Sequence, residues 1–353
     1  MSKLLKLALC AILSLGLVAC SDSGEQNNVK KCDAEVTVGL VTDVGGVDDK
    51  SFNQSAWEGL KKYATENGFS EESGCEISFL QSESDADYVP NLSTLADNGN
   101  DLVIAVGYLF ENAMKETAPN YPDTKFLFID SVLDSPNVMN AIFAAEQGSF
   151  LVGVAAGLKS IENGSNTVGF IGGMEGPLIG AFQAGFEQGV LAANPEATII
   201  VDYADHFGDP AKGQTLAAKQ YDAGATVIYQ AAGGSGNGVI KEARERKDVW
   251  VIGVDKDQYT DGEIEGGNVM LTSMVKRVDT ASYTAAKAIK EGTFKAGTIT
   301  FDLSNEGVGA ELSTGRNLTD ADIATINSFK DKIINGEIVV TTTPSIANGQ
   351  TNK

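Results

Sequence analysis

Histidine occurs once in these 353 residues, at position 206, and cysteine four times, with no CxxC pair. A metal centre built on imidazole or thiolate ligands has no ligand set to draw on. Ser-His-Asp chemistry likewise finds no constellation, and no cofactor is implied. Positive charge is scarce: 26 Lys and Arg stand against 48 Asp and Glu, for a formal charge of −22. It becomes more negative still if Lys3 and Lys6 are cleaved off. A surface of that sign repels nucleic acid and phosphorylated ligands and suits a neutral or cationic ligand. Beyond the first twenty residues no stretch is apolar enough to read as a spanning helix. The glycine cluster Gly233–Gly238 is followed by neither Lys-Ser nor Lys-Thr, which excludes a phosphate loop.

What is present begins with the leader MSKLLKLALCAILSLGLVAC. Lys3 and Lys6 form a short positive region, and Leu7–Val18 is the length of a signal-peptide core, too short to span. It ends in Leu17-Val18-Ala19-Cys20, which resembles a bacterial lipobox. On that resemblance residues 1–19 are a signal peptide and Cys20 becomes a lipid-modified N-terminus. The alternative is a plain signal peptide with an incidental cysteine. Residues 20–33 read as a polar tether. The expected location is outside the cytoplasm, anchored to a bacterial membrane on its periplasmic side. Cys10 leaves with the signal. Cys32 and Cys75 remain as an even pair that an oxidising compartment would join in a disulfide, free thiols being the alternative.

The roughly 330 residues after the leader exceed what one hydrophobic core usually organises, so two lobes are expected. Short apolar runs such as Asp101–Val106, Lys125–Asp130 and Thr167–Gly172 alternate with helical patterns such as Gln54–Asn67, Gln147–Ile161 and Pro177–Ala193. Several of the runs lack polar alternation, as strands buried on both faces of a parallel sheet do. The rhythm restarts near residue 146. The fold class is therefore α/β, two doubly wound parallel sheets with a cleft between them. We assign residues 34–145 and about 258–300 to lobe one, and residues 146–257 and about 301–345 to lobe two.

Ligands of open α/β sheets sit beyond the C-terminal strand ends. Those ends carry Asp43 with Ser51-Phe52-Asn53, Gly107-Tyr108-Leu109-Phe110, Asp130, Asp205-His206-Phe207-Gly208, Gly233-Gly234, Asp255 and Lys276. Phe52 and Phe207 could wall a flat ring from either side. The carboxylates supply acceptors, Asn53 both donates and accepts, Lys276 adds a cationic donor, and glycine backbones allow close approach. Each residue also has a plainer reading. Phe52 could staple the first helix, Asp43 and Asp130 could cap turns, Lys276 could belong to a solvated pair with Arg277, and His206 could be polar rim.

The segments Asp49-Lys50-Ser51-Phe52-Asn53-Gln54, Gly233-Gly234-Ser235-Gly236-Asn237-Gly238, Ile252–Gln258 and Thr272–Arg277 resemble the basic membrane protein family of substrate-binding lipoproteins, nucleoside receptors of the PnrA type that serve ABC importers. The resemblance covers essentially the whole mature chain. It implies a periplasmic-binding-protein fold of the ribose-receptor kind, two lobes joined by three crossovers, monomeric and working with a membrane permease. It implies that Phe52 and Phe207 sandwich a nucleobase and that Asn53 and Asp130 bond the base. Asp255 and Lys276 would then hold ribose hydroxyls, with Asp43, Ser51, Gly233 and Gly234 nearby. The wording His206-Phe207-Gly208-Asp209 departs from the family's Ser-Phe-Asn/Asp-Asp. Two other readings stand beside this one: the same fold binding a sugar or furanoside signal, and a ligand-sensing subunit for a membrane regulator. A nucleoside hydrolase is a third, and it lacks a catalytic constellation.

Overall fold

Strands that are apolar along their whole length, such as Leu102-Val103-Ile104-Ala105-Val106, are buried at every residue, because helices cover both faces of each sheet. The structure is a computed structural model and describes residues 34–69 and 75–353. The expected signal peptide, the Cys20 lipidation site and Cys32 lie outside the described residues. Cys75 is disulfide-bonded.

The chain runs β1 (Val38–Thr42), α1 (Phe52–Glu66), β2 (Ile77–Gln81), α2 (Tyr88–Asp97), β3 (Leu102–Val106), α3 (Glu111–Thr117), β4 (Lys125–Ile129) and β5 (Val138–Phe143). It continues through α4 (Ala145–Glu162), β6 (Thr167–Gly172), α5 (Pro177–Ala193), β7 (Thr198–Tyr203), α6 (Pro210–Asp222), β8 (Val227–Ala231), α7 (Gly236–Arg244) and β9 (Trp250–Asp255). Then come the ribbon β10 (Glu263–Ile264) and β11 (Gly267–Asn268), β12 (Met270–Lys276), α8 (Val278–Lys290), β13 (Gly297–Phe301), β14 (Val308–Ala310) and α9 (Asp320–Ile334). The first sheet has the order β13-β5-β4-β3-β1-β2 and the second β14-β12-β9-β8-β6-β7. All pairings within the first sheet are parallel, and in the second only β14 is antiparallel to its neighbour.

Among the described residues the chain passes between the sheets three times, after β5, after β12 and after β13. The passages lie side by side. Ala144 donates its N–H to the Phe301 carbonyl and Arg277 donates to that of Gly307. Here the structure corrects our boundary at residue 258. Strand β12 pairs in parallel with β9, so residues up to Lys276 stay with the second sheet. Parallel neighbours usually need a helical crossover. In this case a short turn at Tyr259–Gly262 and the small ribbon replace the helix, and the periodicity gives no sign of the return.

Helices α4 and α5 touch backbone to backbone. A Cβ on Gly189 would lie 2.0 Å from the Phe150 carbonyl oxygen, and one on Gly185 2.1 Å from that of Glu146. Only glycine allows that approach. Past α9, the segment from Thr341 to Lys353 straps the second lobe. Ser345 donates N–H and hydroxyl to the buried Glu187, Val201 donates its N–H to Gln350, and Thr351 bridges Ile200. The strap covers the edge of β7, a natural way to protect a sheet edge.

Candidate functional site

Both sheets aim their C-terminal strand ends into one cavity between the lobes. Strand β1 is followed by Asp43, whose Oδ1 accepts the Gly45 N–H at 2.9 Å and an Asn53 Nδ2 hydrogen at 2.7 Å. The next loop is organised by Asp49. Its carboxylate accepts the backbone N–H groups of Ser51, Asn53 and Gln54, at 2.9, 2.9 and 3.0 Å. These are donors at the start of a helix that have no partner within it. Satisfying them from Asp49 starts α1 at Phe52, two residues ahead of the expected Gln54.

Phe52 thereby projects into the cavity, packed across Gly107, whose φ is +117° and whose missing Cβ would come 3.3 Å from the ring. The opposite ring, Phe207, lies against Gly173, where a Cβ would come within 2.2 Å of it. Its edge faces Tyr108 with centroids 6.5 Å apart at 81°. Both phenyl rings are half-buried and both line the cavity.

Asp130 (φ +64°) directly follows β4 and Asp255 (φ +67°) ends β9, left-handed positions that Asp tolerates better than most side chains. Lys276, at the end of β12, ion-pairs with Asp130, and both side chains are only 2 % exposed. The ammonium also lies 4.6 Å from the Phe52 ring centroid, 4.9 Å from that of Phe143 and 5.6 Å from that of Phe182. It sits in an aromatic cage of the kind that holds a desolvated cation. Asp255 accepts the Ser51 hydroxyl at 2.5 Å.

Four carboxylates, those of Asp43, Asp49, Asp130 and Asp255, thus share the cavity lining with one lysine. Burial pushes Asp43 up to about 6, against the downward pull of the Gly45 and Asn53 hydrogen bonds. Burial likewise pushes Asp255 to about 6, opposed by the Lys276 charge and the Ser51 hydroxyl. Asp49 is raised by burial, with its three backbone donors acting the other way. Two buried oxygens of the lining, Asn53 Oδ1 and Asp130 Oδ1, have no hydrogen-bond partner among the described residues.

The structure brings Asp43, Phe52, Asn53, Asp130, Phe207, Gly233, Gly234, Asp255 and Lys276 around this one cavity. Ser51 is not in the lining; it is buried behind it and reaches across the lobes to Asp255. His206 is exposed on the rim, its Nδ1 accepting the Gly208 N–H. The strand-end reading also named Tyr108, which lines the cavity, but did not select Asp49, Leu178, Ile179 or Phe182, which line it too. Asp49 sits two residues before Ser51, the spacing at which an Asp side chain accepts a backbone N–H, and that was its available signal. The three α5 residues repeat at helical spacing and look like ordinary core.

Comparison with known proteins places this architecture. A family model described as ABC transporter substrate-binding protein PnrA-like matches residues 36–343. A CD4+ T-cell-stimulating antigen of Listeria monocytogenes is 42% identical over 96% of this chain and 98% of its own. The ABC transporter nucleoside-binding protein BmpA of Lactococcus lactis is 36% identical over 94% and 96%. Basic membrane protein A of Borreliella burgdorferi is 33% identical over 96% of each. Among solved structures, an ABC transporter solute-binding protein of Aeropyrum pernix superposes with a TM-score of 0.74 at 28% identity, over 87% of this chain and 93% of that one. The fold is that of the type I periplasmic binding proteins.

Proposed function

The chain belongs to the PnrA-like family of ABC transporter substrate-binding proteins, and from that premise we propose that it captures nucleosides, purine nucleosides foremost, between its lobes and delivers them to a membrane permease. The observation that carries this reading is the pairing of Phe52 and Phe207, one ring from each lobe, in a cavity whose polar lining is carboxylates, an amide and one buried lysine. A planar base satisfies the rings, and ribose hydroxyls satisfy a lining that both accepts and donates. The surplus of carboxylates disfavours a phosphate, so nucleotides are excluded. The relative from Lactococcus lactis named as nucleoside-binding supports the ligand class. The family is one of binding proteins, and the reading requires no catalytic step.

The ligand enters the open cleft, rests on one ring and is covered by the other as the lobes turn about the three crossovers. Its differential affinity for the closed form shifts the population that way, and the permease reads the closed shape. A lipid on Cys20 would hold the monomeric receptor at the membrane through the tether of residues 20–33. Calorimetric titration with adenosine, inosine, uridine, ribose and galactose tests the reading. Nucleosides are expected to bind and the free sugars not to. Phe52→Ala is expected to weaken nucleoside binding by about 1–3 kcal/mol, the range for one base face on an aromatic ring. Equal affinity in the variant, or preference for a free sugar, refutes it.

A further inference from the structure

We propose that Asn53 meets the ligand as a hydrogen-bond acceptor only, that Asp49 is the positioning residue that makes it so, and that the receptor therefore selects nucleosides whose base presents an N–H or NH2 donor. This rests on nucleoside capture as argued above and adds a donor requirement to it.

The case starts from the two amide hydrogens of Asn53. Nδ2 donates one to Asp43 Oδ1 at 2.7 Å and the other to Asp49 Oδ2 at 2.9 Å. Turning the amide over would set its oxygen against two carboxylates, so electrostatics fixes the orientation. The sequence pattern suggested that Asn53 could both donate and accept; in the structure both its donors are already used inside the protein. What remains is Oδ1, on a residue 2 % exposed, buried and without a partner among the described residues. A buried acceptor left without a donor is costly, and a ligand N–H removes that cost.

Asp49 cannot swing aside to release the amide. Three backbone N–H groups at the start of α1 hold its carboxylate in place. The second polar cluster of the cavity differs in kind. Asp130, Lys276 and Asp255 put a cation beside carboxylates and can both give and take hydrogen bonds, as vicinal hydroxyls require. The roles implied by the family resemblance, base edge to Asn53 and ribose hydroxyls to Asp255 and Lys276, fit this difference in kind.

Calorimetry on the full chain with four ligands tests this. Adenosine offers an amino donor and inosine a ring N–H. Purine riboside offers neither, and 6-methylpurine riboside keeps the shape of adenosine without the donor. Adenosine and inosine are expected to bind about tenfold or more tighter than the other two, since a site built to bond a donor rejects the analogue that lacks it. Asn53→Ala is expected to bring the four affinities close together, and Asp49→Ala to shrink the ratio in the same direction. A residue with a purely structural role would lower all four alike. Should Asp49→Ala not fold, the natural protein and Asn53→Ala still decide. Equal affinities in the natural protein overturn the donor requirement and leave nucleoside capture standing. A ratio unchanged by Asn53→Ala also overturns it. Failure of all four ligands to bind removes the nucleoside reading, and this inference with it.

Discussion

Replacing Asp255 by Asn should make the ligand-free protein more stable and a worse receptor. The carboxyl of Asp255 is buried, and burial moves it from an ordinary 3.8 to about 6. Between those two values the folded chain holds a proton that the unfolded chain has released. Stability therefore falls as pH rises through that window and is level above it. Two powers of ten in proton affinity, at about 1.4 kcal/mol each, set the cost of the charge at about 3 kcal/mol near neutrality. An asparagine keeps an oxygen to accept the Ser51 hydroxyl and carries no charge to desolvate. It gives up the attraction to Lys276, which retains Asp130 as its ion-pair partner. The expected net gain is about 1–3 kcal/mol at pH 7.5, falling to about a third of that at pH 4.5, where the natural protein is protonated at this position in its folded state.

Urea unfolding of both proteins at the two pH values, without ligand, measures the difference. The same variant should bind nucleoside more weakly by about 1 kcal/mol or more, because a charged acceptor for a hydroxyl has become a neutral one. That combination, more stable and less active, is what a site held under electrostatic strain for binding produces. If Asp255→Asn is no more stable at pH 7.5, or its gain is the same at both pH values, the buried carboxylate is not strained and the argument fails.

Other consequences can be checked alongside. Lys276→Met fills the same volume but leaves Asp130 and Asp255 buried without their cation, a loss of about 3–5 kcal/mol at neutral pH. Without the lysine's downward pull Asp255 should titrate above about 6, so the destabilisation should shrink as pH falls; an equal loss at pH 7.5 and 5 in urea melts would contradict this. Gly173→Ala puts a methyl group where the Phe207 ring lies and should weaken nucleoside binding at least as much as Phe207→Ala, by about 1–3 kcal/mol in calorimetry; wild-type affinity would show that the ring is not a wall of the site. Gly189→Ala drives a carbon into the Phe150 carbonyl and should cost about 1–3 kcal/mol of stability with ligand affinity per folded molecule unchanged; an unaltered urea midpoint would mean that α4 and α5 separate freely.

Much of this was legible because the signals were strong and local. The run Leu102–Val106 can only be a strand covered on both faces, and Pro177 marks the first residue of α5 as its fixed φ favours. The strand-end rule then gathered Phe52, Asp130, Phe207, Asp255 and Lys276 from positions far apart in the chain. Contacts without a local pattern stayed out of reach. The partner of Ser51 is Asp255, 204 residues away and in the other lobe. The C-terminal strap is held by Ser, Thr and Asn against Glu187, Gln188 and the edge of β7, which leaves no hydrophobic period to read. Strand β14 has three residues, and β12 returns beside β9 without a helix, so the lobe boundary was placed too early.

The contacts between the lobes bear on how a ligand could govern closure. On the rim, Lys50 meets Asp261 at 2.7 Å and Lys256 meets Glu58 at 2.6 Å, and Gln258 donates to the Lys50 carbonyl at 2.9 Å. Both ion pairs are partly exposed, Lys50 by 54% of its side chain, so each contributes at most about 1 kcal/mol. Closure of such a receptor is a two-state balance that a ligand moves only by its differential affinity for the closed form. Moving such a balance from one part in a hundred to ninety-nine takes about 5.5 kcal/mol of differential affinity. Of this, the second phenyl ring, engaged only on closure, supplies about 1–3 kcal/mol and each hydroxyl bond formed on closure about 1 kcal/mol. On the proposed reading, a nucleoside whose second face and ribose hydroxyls are engaged on closure approaches that total. Ribose alone, with no flat ring to cover, does not, and that shortfall would make closure a report on nucleoside and not on sugar.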